Sequence, residues 1–196
     1  MSDGLVVGAD GLARCAWAGS TADYLVYHDE EWGVPVHGES ALFERFTLEA
    51  FQSGLSWLTI LRKRDGFRAA FSGFGADEVA AFDDRDRARL MADVAIVRNS
   101  RKIDAAIGNA RVVVTLRDSG GLDALVWSFA PATHTPPCVL GDVRATSPES
   151  VALAARLKRE GLVFVGPTTA YAAMQACGLV DDHLAGCHRS SVRTPA

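Results

Sequence analysis

The feature that most restricts the fold is a succession of segments in which apolar residues recur at helical spacing. The stretch ESALFERFTLEAFQSG begins at Glu39 and spaces its large apolar side chains three and four residues apart, and Gly54 suits a helix end. Ser56 is a candidate N-cap for a second helix, SWLTILRKR. Only residues 162–165, LVFV, resemble a strand. The sequence therefore predicts an all-α fold.

The remaining segments extend this prediction along the chain. ADEVAAF and DDRDRARLMA read as short helices, SRKIDAAIGNARVVVTLRDSG as a long helix that begins near Ser100, and DALVWSF as a further short segment. Ser147 followed by Pro148 predicts a helix start and Gly161 its end, and a last helix should run from Thr168 or Thr169 to Gly178.

This pattern predicts three parts of unequal size. Residues 1–13 look like a flexible N-terminal extension, residues 14–188 like a single helical domain of two lobes, and residues 189–196 like a C-terminal tail. The stretch 131–148, PATHTPPCVLGDVRATSP, is either a connection between lobes or a surface excursion.

Composition excludes several classes of protein. A net charge of −4 argues against a protein that coats nucleic acid by charge alone, so any nucleic-acid contact should be focal. No apolar run approaches the ~18 residues that span a bilayer, and no secretory signal is visible. Four cysteines in 196 residues are too few for a disulfide scaffold, so reduced thiols or metal ligands are expected. We expect a cytoplasmic protein without membrane contact.

The C-terminal stretch DDHLAGCH places His183 and Cys187 four positions apart. A structural zinc site takes four Cys or His ligands, so two more are needed. Cys15 and His28 stand out weakly, because they flank an aromatic-rich stretch, but spacing alone does not choose among the candidates. An alternative is that the pair is a coincidence of core and surface residues. The full set of further candidates is Cys15, Cys138, Cys177, His28, His37, His134 and His188.

Two other groups of residues suggest nucleic-acid chemistry. VAIVRNSRKI, residues 94–103, joins two predicted helices and could present backbone amides, Arg98, Arg101 and Lys102 to a phosphate, or be a solvated interhelical loop. Glu49 lies among apolar neighbours, and a buried carboxylate there would need a partner. Aromatic residues near a carboxylate suit a pocket that stacks a flat base, although they could also be core; they are Trp17, Tyr24, Tyr27, Trp32 and Trp57.

Long motifs in a fixed order give the chain a family resemblance. YHDEEWGVP, LFERFTLEAFQSGLSWLTILRKR, the RKIDAAIGNAR segment, VWSF and FVGPTTAYAAMQACGLVDDHLAGC resemble the bacterial 3-methyladenine DNA glycosylase I family, from about Arg14 to Cys187. The resemblance implies a helix-hairpin-helix glycosylase with a structural zinc ion that joins the N- and C-terminal segments. Its implied ligands are Cys15, His28, His183 and Cys187, a closed set without an open position for water.

The same resemblance assigns the other site residues. It implies that Glu49, as the catalytic residue, and Tyr27 read the edge of the damaged base while Trp57 stacks on its face, with Trp17 and Tyr24 in the pocket wall. The hairpin would lie at residues 95–100, where Ala95 replaces the family's usual glycine, and DNA would be bound by Arg98, Ser100, Arg101 and Lys102.

The implied activity is base-excision DNA repair by a monofunctional glycosylase that hydrolyses the N-glycosidic bond of 3-methyladenine in alkylated double-stranded DNA. Nothing marks Lys102 as a Schiff-base nucleophile, and a monomer is expected. Two alternatives stay open at this point. One is a zinc-stabilised helical DNA-binding module without catalysis, and the other is an enzyme of similar scaffold that acts on a free nucleoside or small molecule.

Overall fold

The computed structural model describes residues 4–191, and these contain nine α-helices and one two-stranded antiparallel sheet. The predicted all-α fold is thus confirmed in its main part. The elements are β1 (Leu5–Val7), β2 (Ala13–Cys15), α1 (Ala22–Glu30), α2 (Glu39–Gln52), α3 (Trp57–Ala70), α4 (Ala76–Ala80), α5 (Asp84–Ala92), α6 (Ser100–Leu116), α7 (Gly121–Trp127), α8 (Pro148–Glu160) and α9 (Pro167–Ala176).

Helix boundaries follow the local signals in the sequence. Gly54 has φ +81°, which lets the chain turn sharply after α2. The Ser56 hydroxyl then accepts a hydrogen bond from the Thr59 amide at 3.3 Å and caps α3. Ser147 caps α8 in the same way through the Ser150 amide at 3.1 Å, and Gly161 ends that helix with φ +104°.

Helix α2 occupies the centre of the main core. It packs against α3, α6, α7 and α9, and most of its side chains between Leu42 and Phe51 are buried. Because helices surround α2, a polar side chain on its inner face loses contact with water. Glu49 is one of these buried side chains, so its carboxyl group is largely removed from water.

The N-terminal segment corrects one expectation. Residues 5–7, which the sequence analysis placed in a flexible extension, form a strand that pairs with residues 13–15, with Leu5 opposite Cys15. The His188 amide also donates to the Ala13 carbonyl at 2.8 Å, so the C-terminal segment is tied to this small sheet. Residues 1–3 of the expected extension and 192–196 of the expected tail lie outside the described part of the chain.

The strand-like stretch 162–165 is not a strand in the structure. The side-chain amide of Asn109 takes the place of a neighbouring strand: it donates to the Val163 carbonyl at 3.0 Å and accepts from the Val163 amide at 2.9 Å. Residues 131–147 are irregular apart from a short 3-10 turn at Leu140–Asp142. Within the described residues, no helix combines the length and apolar character needed to cross a membrane.

Candidate active site and metal-ligand cluster

Glu49 lies on α2 with 6% of its surface exposed. No residue within the described range 4–191 forms a hydrogen bond or a direct ion pair with its carboxylate. Burial raises the pKa of Glu49 to about 8, and the nearby Arg45 guanidinium opposes part of that rise. Among residues 4–191, Glu49 is therefore a buried acid without a hydrogen-bond or ion-pair partner.

Tyr27 lies near Glu49, and Trp57 packs against Tyr27. Tyr27 on α1 is 3% exposed, and its ring centroid lies 5.5 Å from that of Trp57 at the start of α3. Burial raises the pKa of the Tyr27 hydroxyl above its ordinary value, with a further contribution from the Glu49 charge. The Trp57 indole Nε1 is buried and has no hydrogen-bond partner within the described residues. The structure thus brings together the three residues expected to contact the base.

Trp17 and Tyr24 lie next to Tyr27, with the Trp17 ring centroid 6.4 Å from that of Tyr27. Their rings meet edge to face at 5.6 Å, and the Tyr24 hydroxyl oxygen accepts a hydrogen bond from the Leu58 amide at 3.0 Å. Tyr24 therefore fixes α1 against the first turn of α3. Trp17 also contacts the His28 ring, with centroids 5.2 Å apart, so it connects the aromatic group to the cysteine and histidine cluster.

That cluster contains the Cys15 and Cys187 thiols and the His28 imidazole, whose ligand atoms all lie within 4.8 Å of one another. His28 Nε2 is 3.4 Å from Cys187 Sγ. All three residues are buried. A hydrogen bond from the Cys15 thiol lowers the pKa of Cys187. Residues from β2, α1 and the C-terminal segment therefore meet in one buried set of thiol and imidazole groups, which are side chains of the kind that bind zinc.

His183 borders this cluster. Its ring centroid is 4.9 Å from that of His28, and its Nε2 is buried without a hydrogen-bond partner among the described residues. Both histidines direct Nδ1 to a carboxylate: His28 to Asp29 at 2.7 Å and His183 to Asp181 at 2.9 Å. Gly33 permits this packing, because a Cβ there would lie 2.9 Å from the His183 ring.

The remaining cysteine and histidine candidates lie outside this cluster, although His188 forms a second group of close ligand atoms with His28 and Asp29. His188 Nε2 bonds Asp29 at 3.0 Å, His134 Nε2 bonds Asp182 at 2.9 Å, and His37 Nδ1 bonds Asp123 at 3.1 Å. Cys138 is exposed, whereas Cys177 is buried away from the cluster. Burial raises the pKa of the Cys177 thiol to about 12.

The loop between α5 and α6, residues 93–99, is held against α3. Lys63 donates to the Val94 carbonyl at 2.7 Å, and Ala95 packs so closely on Gly66 that a Cβ at Gly66 would lie 2.7 Å from the Ala95 carbonyl oxygen. Ala95 does not adopt a positive φ, so the turn does not require the glycine that Ala95 replaces. Arg98 and Arg101 are exposed on this loop and the first turn of α6.

Lys102 does not lie on this exposed surface, contrary to the expectation that it binds DNA. Only 8% of the residue is exposed, and its ammonium donates to the Phe51 and Ser53 carbonyls at 2.9 and 2.6 Å. Burial lowers its pKa. Lys102 therefore joins the first turn of α6 to the end of α2. Ser100 is half-buried at the start of α6.

Sequence reasoning missed a charged group beside Glu49. Glu31 accepts hydrogen bonds from both Arg45 and Arg64, with Arg45 Nη2 at 3.0 Å from Glu31 Oε2 and Arg64 Nη2 at 2.8 Å from Glu31 Oε1. The available signal was the position of Arg45 four residues before Glu49, which places both on one face of a helix.

Comparison with known proteins gives consistent matches over most of the chain. A family model for methyladenine glycosylase matches residues 17–190. The chain is 42% identical over 181 residues to DNA-3-methyladenine glycosylase 1 of Escherichia coli (strain K12), covering 90% of this chain and 96% of the relative. It is 39% identical to the DNA-3-methyladenine glycosylase of Haemophilus influenzae, covering 89% of this chain and 96% of the relative.

Solved structures agree with these matches. A structure on the recognition of 3-methyladenine by 3-methyladenine DNA glycosylase I from Staphylococcus aureus has a TM-score of 0.86 at 31% identity, over 92% of this chain and 98% of that one. A tyrosine-to-phenylalanine variant of a 3-methyladenine DNA glycosylase I, solved in complex with 3-methyladenine, has a TM-score of 0.85 at 30% identity, over 92% of this chain and 99% of that one.

Proposed function

Since the chain belongs to the methyladenine glycosylase family, we propose how its own residues carry out the activity of that family. The activity is hydrolysis of the N-glycosidic bond of 3-methyladenine in alkylated DNA, with release of the free base, by a monofunctional glycosylase. The observation that carries the residue assignment is the buried carboxylate of Glu49, which has no hydrogen-bond or ion-pair partner within residues 4–191 and lies near Tyr27, whose ring packs on Trp57.

The substrate explains why few catalytic groups are needed. Methylation at N3 makes the adenine cationic, so cleavage of the bond between C1′ and N9 releases a neutral base and leaves positive charge on the sugar. The leaving group is thus already activated. What the protein must supply is selective binding of the cation and access for water, and both depend on holding the nucleotide outside the duplex.

Glu49 is the group in this site suited to recognise the cation. Its carboxylate accepts hydrogen bonds from the exocyclic amine while Trp57 stacks on the ring and Tyr27 closes the edge. Because the carboxylate is buried and has no competing hydrogen bond within the described residues, a cationic base is its natural counter-charge. Flipping the nucleotide out of the DNA duplex costs about a few kcal/mol, which stacking on Trp57 and these hydrogen bonds offset.

The proposed DNA contact lies on the loop 93–99 and the first turn of α6. Arg98 and Arg101 are exposed there, and the amides at the start of a helix favour a phosphate. We retain Ser100 in this surface because it starts α6, and we exclude Lys102 because its ammonium is bonded to main-chain carbonyls. We also propose that α5, the loop 93–99 and α6 form the helix-hairpin-helix implied by the resemblance.

We also propose that Cys15, His28, His183 and Cys187 hold the structural zinc implied by the resemblance. Three of the four donors support this set: the ligand atoms of Cys15, His28 and Cys187 lie within 4.8 Å of one another. Ligand atoms around tetrahedral zinc lie about 3.3–3.8 Å apart, and His28 Nε2 is 3.4 Å from Cys187 Sγ. His183 lies outside that group of three and would have to move closer to bind the same ion. His183 Nε2 is a buried nitrogen without a described partner, and the carboxylates on both Nδ1 atoms orient the rings. Such a closed site holds segments together and supplies no reacting water.

One assay tests the function. Purified protein is incubated with methylated duplex DNA and the released bases are identified by chromatography. We expect release of 3-methyladenine by wild type and a much slower release by Glu49→Gln. DNA binding without release would favour the non-catalytic module, and release from free nucleosides but not from DNA would favour a small-molecule enzyme. The expected monomer and the cytoplasmic location stay predictions.

A further inference from the structure

Arg45 is a charged side chain beside Glu49 that the proposed reaction does not use. It lies one helical turn before Glu49 on α2, and its side chain is 11% exposed. One edge of its guanidinium, Nη2, donates to Glu31. The other nitrogen, Nη1, is buried and has no hydrogen-bond partner within residues 4–191.

The Glu31 carboxylate does not fully neutralise this charge, because Arg64 also binds it. Two guanidinium groups and one carboxylate leave one excess positive charge in a part-buried cluster. The pKa of Glu31 is affected most by burial, which raises it, but Arg64 and Arg45 together hold it below its ordinary value. Glu31 therefore stays ionised and anchors Arg45 from the position just after α1.

We propose that Arg45 is a positioning residue for base recognition: its uncompensated charge, fixed by Glu31 one turn from Glu49, favours the ionised form of the Glu49 carboxylate, which binds the cationic base. This inference rests on the proposed role of Glu49. Arg45 does not touch the base in this scheme. It acts through Glu49, across a distance too long for a direct ion pair but in a buried region where charges are weakly screened.

Within the described residues, Arg45 is the one positively charged group that acts on Glu49. Tyr27 faces Glu49 from α1 and Cys177 from the end of α9, and burial raises the pKa of both, so both are neutral near pH 7. The Lys102 ammonium on α6 donates to the Phe51 and Ser53 carbonyls at the end of α2. Burial raises the pKa of Glu49, and Arg45 is the group that lowers it.

The direction of the effect follows. Recognition of a cation needs ionised Glu49, so excision should fall as the pH drops through the pKa of Glu49. Removing the Arg45 charge raises that pKa and moves the acid limb of the profile to higher pH. An opposite charge nearby is worth about one pKa unit or more. The Arg45→Met variant should therefore lose about tenfold in rate at pH 7 and approach the wild-type rate at high pH.

The experiment measures single-turnover excision of 3-methyladenine from methylated duplex DNA between pH 6 and 9.5. It compares wild type with Arg45→Met, Arg45→Gln, Arg45→Lys and the matched control Arg68→Met, which removes a charge that pairs with Glu44 on the same helix and not with Glu31. We expect a shifted acid limb in Arg45→Met and Arg45→Gln and a restored limb in Arg45→Lys. An equal loss at every pH, or the same shift in Arg68→Met, would overturn the inference.

A second measurement does not depend on activity. The carboxyl carbon of Glu49 is titrated by NMR in labelled protein without DNA, and Glu49→Gln identifies its resonance. A higher pKa in Arg45→Gln than in Arg45→Lys supports the inference even if no base is released, whereas identical values reject it. Failure of wild type to release 3-methyladenine would instead count against the proposed function, so the two failures are distinguishable.

Discussion

Glu49→Gln removes the charge of the proposed base-reading group while keeping its size. A hydrogen bond to a charged group contributes roughly 1.5–3 kcal/mol, or about 10- to 150-fold in affinity. Burial raises the pKa of Glu49 to about 8, so about one carboxyl in ten is ionised at pH 7 before the base binds, and ionisation there costs about 1.4 kcal/mol. The loss caused by Gln should therefore be about tenfold smaller at pH 7 than at pH 9.

The same substitution should stabilise the fold. The side chain ionises near 4.5 in the unfolded chain and near 8 in the folded protein. The folded state thus binds an extra proton between these values, and its stability is full below the lower one and falls as pH rises toward the higher one. At pH 7 this penalty is about 3 kcal/mol, from about 1.4 kcal/mol for each pKa unit. Gln avoids it, so the variant should gain up to that amount at pH 7 and nothing at pH 4.

Excision from methylated duplex DNA at pH 7 and 9, with denaturant unfolding between pH 4 and 8, measures both effects. Glu44→Gln is the matched control, because Glu44 lies on the same helix but pairs with Arg68 at 2.8 Å; it should leave the pH dependence of excision unchanged. Equal excision by wild type and Glu49→Gln at both pH values, with parallel stability curves, would refute the reasoning and leave Glu49 outside the site.

Three further predictions concern the proposed zinc ligands, the proposed DNA-binding surface and Lys102. Cys187→Ala should lower the zinc content of protein purified without added metal, measured by elemental analysis; full zinc retention would contradict the ligand assignment. Arg101→Glu should weaken duplex binding similarly for all sequences and reduce the salt slope by about one, whereas unchanged affinity would place the footprint elsewhere. Lys102→Met leaves the Phe51 and Ser53 carbonyls without their donor, so the free energy of unfolding should fall by about 1–3 kcal/mol with the salt slope unchanged. A reduced salt slope in this variant would return Lys102 to the DNA surface.

The helices were predictable because their signals are local. The Ser56 and Ser147 caps and the Gly54 and Gly161 stops act within one turn of the chain, so a short window of sequence contains the whole interaction. The strand predicted at residues 162–165, LVFV, is absent for the opposite reason, because the interaction that decides its structure is not local. Its backbone is satisfied by Asn109, which lies 54 residues away, and alternation of apolar residues carries no information about such a partner.

The assignment of Lys102 failed for a related reason. In the sequence it follows Arg101 and looks like one more basic residue at a helix start. In the fold its ammonium donates to carbonyls that lie 51 and 49 residues away. Because these bonds bury the residue, with 8% of it exposed, Lys102 does not lie on the surface where a phosphate would bind. The zinc ligands show the same limit: His28 and Cys187 are 159 residues apart, so spacing left the set open and only the family resemblance chose it.

Buried polar atoms without partners connect the two proposed sites. Within the described residues, four side chains contain such an atom: Arg45, Thr47, Trp57 and His183. An unsatisfied buried polar group costs about 1–3 kcal/mol, and three of these four lie at the base site or beside the metal-ligand cluster. We find no structural reason for Thr47. For His183, the proposed metal would bind Nε2 and recover that cost, and functional sites are where a fold retains such groups. Whether a buried polar atom has a hydrogen-bond partner depends on the tertiary structure, so these atoms could not have been identified from the sequence.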